Sequence, residues 1–252
     1  MNRLAVVLKS SREIDKMRIA GKATREVLEL LRGLVKPGVT TMDLEKAAAA
    51  RVAEMGVKPA FLGYSGYPAV LCASVNGEVV HGIPNPKRVL KDGDIVSLDF
   101  GVFVDGWCGD SAITVPVGKV DPETERLLKV TEASLHAGIA VVKPGATLGD
   151  VGAAVQGVVE AAGFSVVRDF VGHGIGTHMH EDPQVPNYGV AGKGMKLRAG
   201  MVIAIEPMVN AGKPDVMVLG DGWTAVTADG SMSAHFEHTV AVTATGARVL
   251  TE

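Results

Sequence analysis

Cysteine is almost missing from this 252-residue chain. The two present, Cys72 and Cys108, are too few for a disulfide framework and are not spaced as a zinc knuckle, which points to a reducing compartment. Aromatic residues are sparse as well, at 4%, and no basic run is interleaved with them. With 25 Lys and Arg against 28 Asp and Glu the net charge is −3, so there is no cationic surplus to neutralise phosphates. Specific nucleic-acid binding is thereby excluded. Long apolar runs are missing too: nothing approaches a membrane-spanning length, and Met1 to Lys9 is too short for a secretory core and has no small-residue cleavage site behind it. The expectation is a soluble, cytoplasmic protein with no membrane partner. What the chain does have is apolar residues, 47% of the total, enough for a sizeable core.

It also has a repeat. Val35-Lys36-Pro37-Gly38-Val39-Thr40 returns 107 residues later as Val142-Lys143-Pro144-Gly145-Ala146-Thr147, with Asp43 recurring as Asp150 and Gly56 as Gly163. The same offset lays Gly93-Asp94-Ile95-Val96-Ser97-Leu98-Asp99 on Gly200-Met201-Val202-Ile203-Ala204-Ile205-Glu206. An acid inside an apolar strand has no packing reason to be there, because an unpaired buried carboxylate is costly. One in each half, at the same place, points to a site on an internal pseudo-symmetry axis.

Each half reads as helix, helix, then strands. Ser10 and Glu13 form a capping-box pattern ahead of a helical periodicity that Pro37-Gly38 stops. Thr40 and Asp43 open a second helix ending near Met55 and Gly56. In the second half the helices are expected over about 123–141 and from Thr147 and Asp150 to near Gly163. Strands are expected at about 69–81, 94–104 and 107–116, then at 165–180, 201–209, 216–228 and 234–243. The class is α+β, with two sheets meeting face to edge, and residues 117–122 are a short connection between the halves.

Asp105-Gly106 is a two-residue hairpin signal, and that loop sets Asp99 opposite Ala112 with Asp110 two positions along on the same face. Diagonal neighbours of this kind lie about 7–8 Å apart at the backbone. Two such carboxylates can lean onto a pair of divalent cations about 3.5–4 Å apart. In the second half the partner of Glu206 is expected to be Glu237, on the returning strand of a longer hairpin, so that four acids form symmetry-related pairs. His173 sits between glycines in Phe170-Val171-Gly172-His173-Gly174-Ile175-Gly176, and a zinc site of His173, His178 and His180 is an alternative that leaves the acids unexplained. His136, His235 and His238 read as structural or surface residues, whereas His81, at the end of a valine strand, is placed to reach a ligand.

Seven segments carry a family resemblance: Asn76-Gly77-Glu78-Val79-Val80-His81-Gly82-Ile83-Pro84, Leu98-Asp99-Phe100-Gly101, Asp110-Ser111-Ala112, Gly172-His173-Gly174-Ile175-Gly176, His180-Glu181-Asp182-Pro183-Gln184-Val185, Ile205-Glu206-Pro207 and Phe236-Glu237-His238-Thr239. From about residue 10 to the C-terminus the chain resembles the type I methionine aminopeptidases. The resemblance implies the pita-bread fold as a single catalytic domain over residues 1–252, with halves at about 10–116 and 123–252. It also implies two divalent metal ions (Co, Mn, Fe(II) or Zn) and removal of the initiator methionine from nascent polypeptides, at the ribosome, by a monomer. Asp99 would hold one ion, His173 and Glu206 the other, and Asp110 and Glu237 both. His81 and His180 would contact substrate, His180 at the developing oxyanion, and Glu206 would shuttle the proton. A water shared by the ions would supply the nucleophile. Four carboxylates and one imidazole suit Mn(II), Fe(II) or Co(II) better than a thiolate-rich zinc site would.

Tyr64, Tyr67, Cys72 and Trp223 match the family's methionine pocket, where polarisable sulfur meets aromatic faces. Phe61 stands where a small residue or cysteine is common, and Met179 where an aromatic is common. The family cleaves before small second residues, so Asn2 predicts that this protein keeps its own Met1. His173 follows Asp110 by only 63 residues, which leaves no room for the long insertion of the type II enzymes. Prolidases and aminopeptidases P carry a sizeable domain ahead of the catalytic one, whereas here the pattern starts near residue 10. A peptide-binding module would need lost ligands, and a two-metal phosphoesterase would need a phosphate loop or arginine clamp.

Overall fold

The computed structural model describes residues 6–252; the expectations for Met1 and Asn2 lie outside the described residues. Four helices form where capping chemistry starts them. Helix α1 (Ser11–Leu34) opens on the Ser10–Glu13 capping box and buries Met17, Val27, Leu28 and Leu31. Helix α2 (Thr41–Met55) opens on the same device at Thr40–Asp43, α3 (Pro122–Ala140) on the Asp121 side chain, and α4 (Leu148–Ala161) on Thr147–Asp150. None of them is long and apolar enough to cross a membrane.

The repeat is real in the hydrogen bonds. The bridge Thr40–Val89 recurs 107 residues on as Thr147–Lys196. Leu90 N–H donates to Val39 O as Leu197 N–H does to Ala146 O, and Gly93 N–H donates to Val117 O as Gly200 N–H does to Val242 O.

The strands are β1 (Lys58–Pro59), β2 (Cys72–Val75), β3 (Glu78–Val80), β4 (Ile95–Val104), β5 (Trp107–Pro116), β6 (Ser165–Val166), β7 (Gly172–Gly174) and β8 (Glu181–Val185). There follow β9 (Val202–Ile205), β10 (Met208–Asn210), β11 (Val216–Val218), β12 (Ala225–Thr227), β13 (Ser233–His235), β14 (Glu237–Thr243) and β15 (Gly246–Val249). The β4–β5 hairpin turns on Asp105 and Gly106, both at positive φ, and pairs Asp99 with Ala112 as expected. Other expected strands are broken. The stretch 69–81 is two strands around a turn at Asn76, and 201–209 is interrupted at Glu206-Pro207, where proline offers no N–H to the ladder. The stretches 216–228 and 234–243 each divide into two strands, and 165–180 holds only β6 and β7. Strands β1, β8 and β15 lie outside every expected span.

The sheet arrangement also differs from the expectation of two sheets meeting face to edge. Strands β5 and β14 pair directly, Ala112 with Glu237 and Ser111 with His238, so both halves join in one nine-stranded sheet of order β1-β4-β5-β14-β9-β7-β8, with β2 on β4 and β15 on β14. Two three-stranded sheets, β13-β10-β6 and β11-β12-β3, complete the set. Helix α1 packs on β4 and β5, and α3 on β9 and β14. The apolar core between these layers runs through both halves, from Leu28, Leu44, Leu98 and Phe100 to Leu135, Val155, Ile203 and Val240.

Candidate metal centre

The seam between the halves is where the acids collect. Cys72, Asp99, Ala112 and Glu237 are successive cross-strand partners on β2, β4, β5 and β14, so they share one face in a single row. Ala112, small, forms the floor of that row. Asp110 lies two residues along β5, opposite Gly101. His238 pairs with Ile205, and one further step of that register sets Glu206 beside Glu237. His173 arrives on β7, which approaches β9 so closely that a Cβ on Gly172 would fall 2.3 Å from Ala204 O.

The register corrects one detail of the sequence reading. Asp99 and Glu206 are pseudo-symmetric as expected, but the ladder that puts Glu206 beside Glu237 continues as Met208 with His235. Glu237 therefore corresponds to Ala112, and the counterpart of Asp110 is His235. The acids are one symmetric pair and two unrelated additions. The extra residues of the second hairpin leave the main sheet and build β10 to β13.

Asp110, His173 and Glu237 present ligand atoms that all lie within 4.8 Å of one another. His173 Nε2 is 3.4 Å from Glu206 Oε1 and 3.9 Å from Asp110 Oδ2, while its Nδ1 bonds Gly174 O at 2.9 Å, leaving Nε2 for the cluster. Among the described residues, no lysine or arginine lines the cavity with the acids. Asp99, Asp110, Glu206 and Glu237 each keep a buried carboxylate oxygen without a hydrogen-bond partner among the described residues. Burial pushes all four carboxyls above their usual range, Asp110 to about 7, and Asp99, Glu206 and Glu237 are raised further by the neighbouring acids. Burial also holds His173 down at about 3, neutral and able to donate a lone pair. Four crowded carboxylates with free oxygens and one neutral imidazole fit divalent cations, which supply the missing positive charge.

Backbone around the cluster is held by residues that the sequence reading passed over. Thr239 Oγ1 accepts from Asp110 N–H and donates to Asp110 O at 2.7 Å, and Ser111 Oγ donates to Glu237 O at 2.6 Å. Asn187 Nδ2 donates to Glu206 O at 3.0 Å. Thr239 and Ser111 were findable as hydroxyls inside apolar strands; Asn187, on a loop, carries no signal.

Above the row lies a cavity of about 150 Å³ lined by all five ligand-type side chains and by Phe61, Tyr64, Tyr67, Cys72, His81, Met179, His180 and Trp223. That volume accommodates roughly one benzene-sized apolar group. Tyr67 meets Trp223 edge-on at 5.1 Å, and its hydroxyl bonds Leu71 O and Gly82 O, so the pocket wall is rigid. His81, at φ +61, packs edge-on against Phe170 and Trp223, and burial lowers it to about 4. His180 Nδ1 is 2.7 Å from Tyr64 Oη, and its ring lies 4.2 Å from that of His173. The three-histidine zinc alternative is not assembled: His178 is exposed and does not line the cavity. His235 is buried with neither ring nitrogen bonded among the described residues, His238 bonds Thr251, and His136 is exposed on α3.

These shifts set the stability of metal-free protein. A carboxyl raised in the folded state stabilises it while protonated and stops doing so as pH rises through the folded value. Buried His81, His173, His235 and His238, lowered to between about 3 and 4, act oppositely, but only below the usual histidine range. Above about pH 7 the histidines are neutral in both states, which leaves the raised carboxyls and, in the same sense at higher pH, the buried thiols of Cys72 and Cys108. Chelated protein is therefore expected to lose melting temperature as pH rises from below about 7, the folded value of Asp110, to above it, and metal-loaded protein far less. Thermal unfolding of the two forms across that range checks this, and a chelated form that gains stability with pH would contradict it.

The model of metallopeptidase family M24 matches residues 15–244, and the chain belongs to that family. Within it the similarity is to methionine aminopeptidases. The chain is 51% identical over 246 residues to methionine aminopeptidase A of Synechocystis sp. (98% of this chain, 97% of that protein) and 49% identical to methionine aminopeptidase 1 of Bacillus subtilis (98% and 99%). Among solved structures, methionine aminopeptidase from Thermotoga maritima superposes with a TM-score of 0.96 at 49% identity, covering 98% of this chain and 99% of that one.

Proposed function

We infer that this protein removes the N-terminal methionine from polypeptides whose second residue is small, as a metal-dependent methionyl aminopeptidase. The observation that carries the reading is the cluster of four buried carboxylates, each with an oxygen unpartnered among the described residues, beneath a cavity lined by Tyr67, Cys72, Met179 and Trp223. A thioether fits such a lining, since sulfur and aromatic edges attract.

Asp99 would hold one divalent ion, His173 and Glu206 a second, and Asp110 and Glu237 would serve both. Bound there, the ions would supply a nucleophile at neutral pH and polarise the scissile carbonyl. His180, whose Nδ1 is occupied by Tyr64, turns Nε2 toward the carbonyl oxygen as it becomes negative. His81, kept neutral by burial, orients the second residue's peptide nitrogen, and Glu206 passes the proton to the leaving amine. Tyr64, Tyr67, Cys72 and Trp223 bind the methionine side chain. The oxygen-rich donor set suits Mn(II), Fe(II) or Co(II) better than a thiolate-rich zinc site would. The chain acts as one catalytic unit, a cytoplasmic monomer that meets nascent N-termini at the ribosome.

Rates on Met-Ala-Ser and Ala-Pro peptides, measured with metal analysis, test the reading. Methionine release from the first, lost on chelation, is expected; preference for the second would instead indicate a proline-specific peptidase.

A further inference from the structure

We propose that Lys9 and Glu181 are positioning residues for His180: their ion pair, at the start of β8, anchors the 175–180 loop and so aims the His180 ring into the site. The proposal rests on the reading of His180 as a substrate-contacting group. That ring needs an anchor. Its one side-chain hydrogen bond is to Tyr64, itself 40% exposed, and His180 belongs to no strand. The backbone beside it is fastened instead. Glu181 Oε1 accepts from His178 N–H at 3.2 Å, and Glu181 Oε2 takes Lys9 Nζ at 2.5 Å. The two side chains are 12% and 3% exposed.

Lys9 comes from the segment ahead of α1, 172 residues away in sequence, and is itself pinned. Its N–H donates to Gly200 O at 2.7 Å, and its ammonium also reaches Val7 O at 3.2 Å. Gly176 closes the arrangement, since a Cβ there would lie 2.5 Å from Glu181 Oε1 and 2.6 Å from Lys9 Cε. Gly176 O in turn accepts from Cys108 N–H at 2.8 Å, which ties the loop to β5 two residues from Asp110. Neither Lys9 nor Glu181 lines the cavity. A buried pair of this kind contributes little net stability, and its use is to fix one conformation. Misplacing a reacting group by about 1 Å can cost about 10²-fold in rate.

The test is a kinetic cycle on metal-loaded protein. Glu181→Gln and Lys9→Met are expected to lower kcat about tenfold or more, with KM and bound metal nearly unchanged, and Lys9→Arg to keep most of the rate. Added to His180→Ala, Glu181→Gln should cost nothing further, because its target is gone. A loss that multiplies with that of His180→Ala, or full kcat in both single variants, overturns the proposal. Should a single variant fail to fold, Lys9→Met/Glu181→Gln, which leaves no lone buried charge, enters the same cycle. If His180→Ala itself keeps full kcat, the catalytic reading of His180 fails. The anchoring is then decided by the imidazole NMR shifts of His180 in Glu181→Gln protein: a change supports it and unchanged shifts overturn it.

Discussion

Glu237→Ala and Asp110→Ala proteins are expected to fold, to hold less metal and to keep no more than a few per cent of wild-type turnover. Each carboxylate lies in the middle of the cluster, where Asp110, His173 and Glu237 atoms sit within 4.8 Å of one another. With each shared between the ions, as proposed, losing either would loosen both, so the whole effect of the metal pair is at stake. Folding should survive because each substitution deletes one of four crowded acids and leaves a methyl group, at Glu237 in the row that already contains Ala112 and at Asp110 beside it. Metal analysis alongside steady-state rates checks this. An alanine variant with substantial activity and full metal content would show that the residue it lacks is not shared between the ions.

His180→Ala should separate chemistry from metal binding. Removing a single donor to a developing oxyanion costs about 10²–10³ in kcat. The substitution leaves every carboxylate in place, and His173 still has Nδ1 on Gly174 O to fix its ring. Bound metal is therefore expected to stay at the wild-type level while kcat falls by that factor. Metal lost together with activity would mean that His180 is a ligand, and would return the histidine-rich site to consideration.

Much of this site was legible because it rests on local rules. The capping boxes, the Asp105-Gly106 turn and the Asp99–Ala112 register each depend on residues close in sequence, and each stands in the structure as expected. The duplication supplied the one long-range clue, equating Asp99 with Glu206. It misled where the halves have diverged. Asp110 and Glu237 look like a matched pair by residue type, yet the ladder makes His235 the counterpart of Asp110. The β5–β14 pairing was out of reach as well, since no local preference specifies which strand edges meet across 125 residues. Nor could sequence show that Lys9 is buried against Glu181, because a lysine near a terminus is ordinarily solvated.

The pairing of β5 with β14 amounts to a joint between two copies of one ancestral unit, with only two residue pairs in its ladder. Asp99 and Asp110 stand on one side of it, His173, Glu206 and Glu237 on the other. The same carboxylates thus act in opposite senses: cations bound between them would rivet the halves together, and without cations the acids share that space only by giving up charge, the cost that their raised values record. The apolar core that runs through both halves would still hold them, but a molecule short of metal would lose reactivity and one of the ties across its midline together.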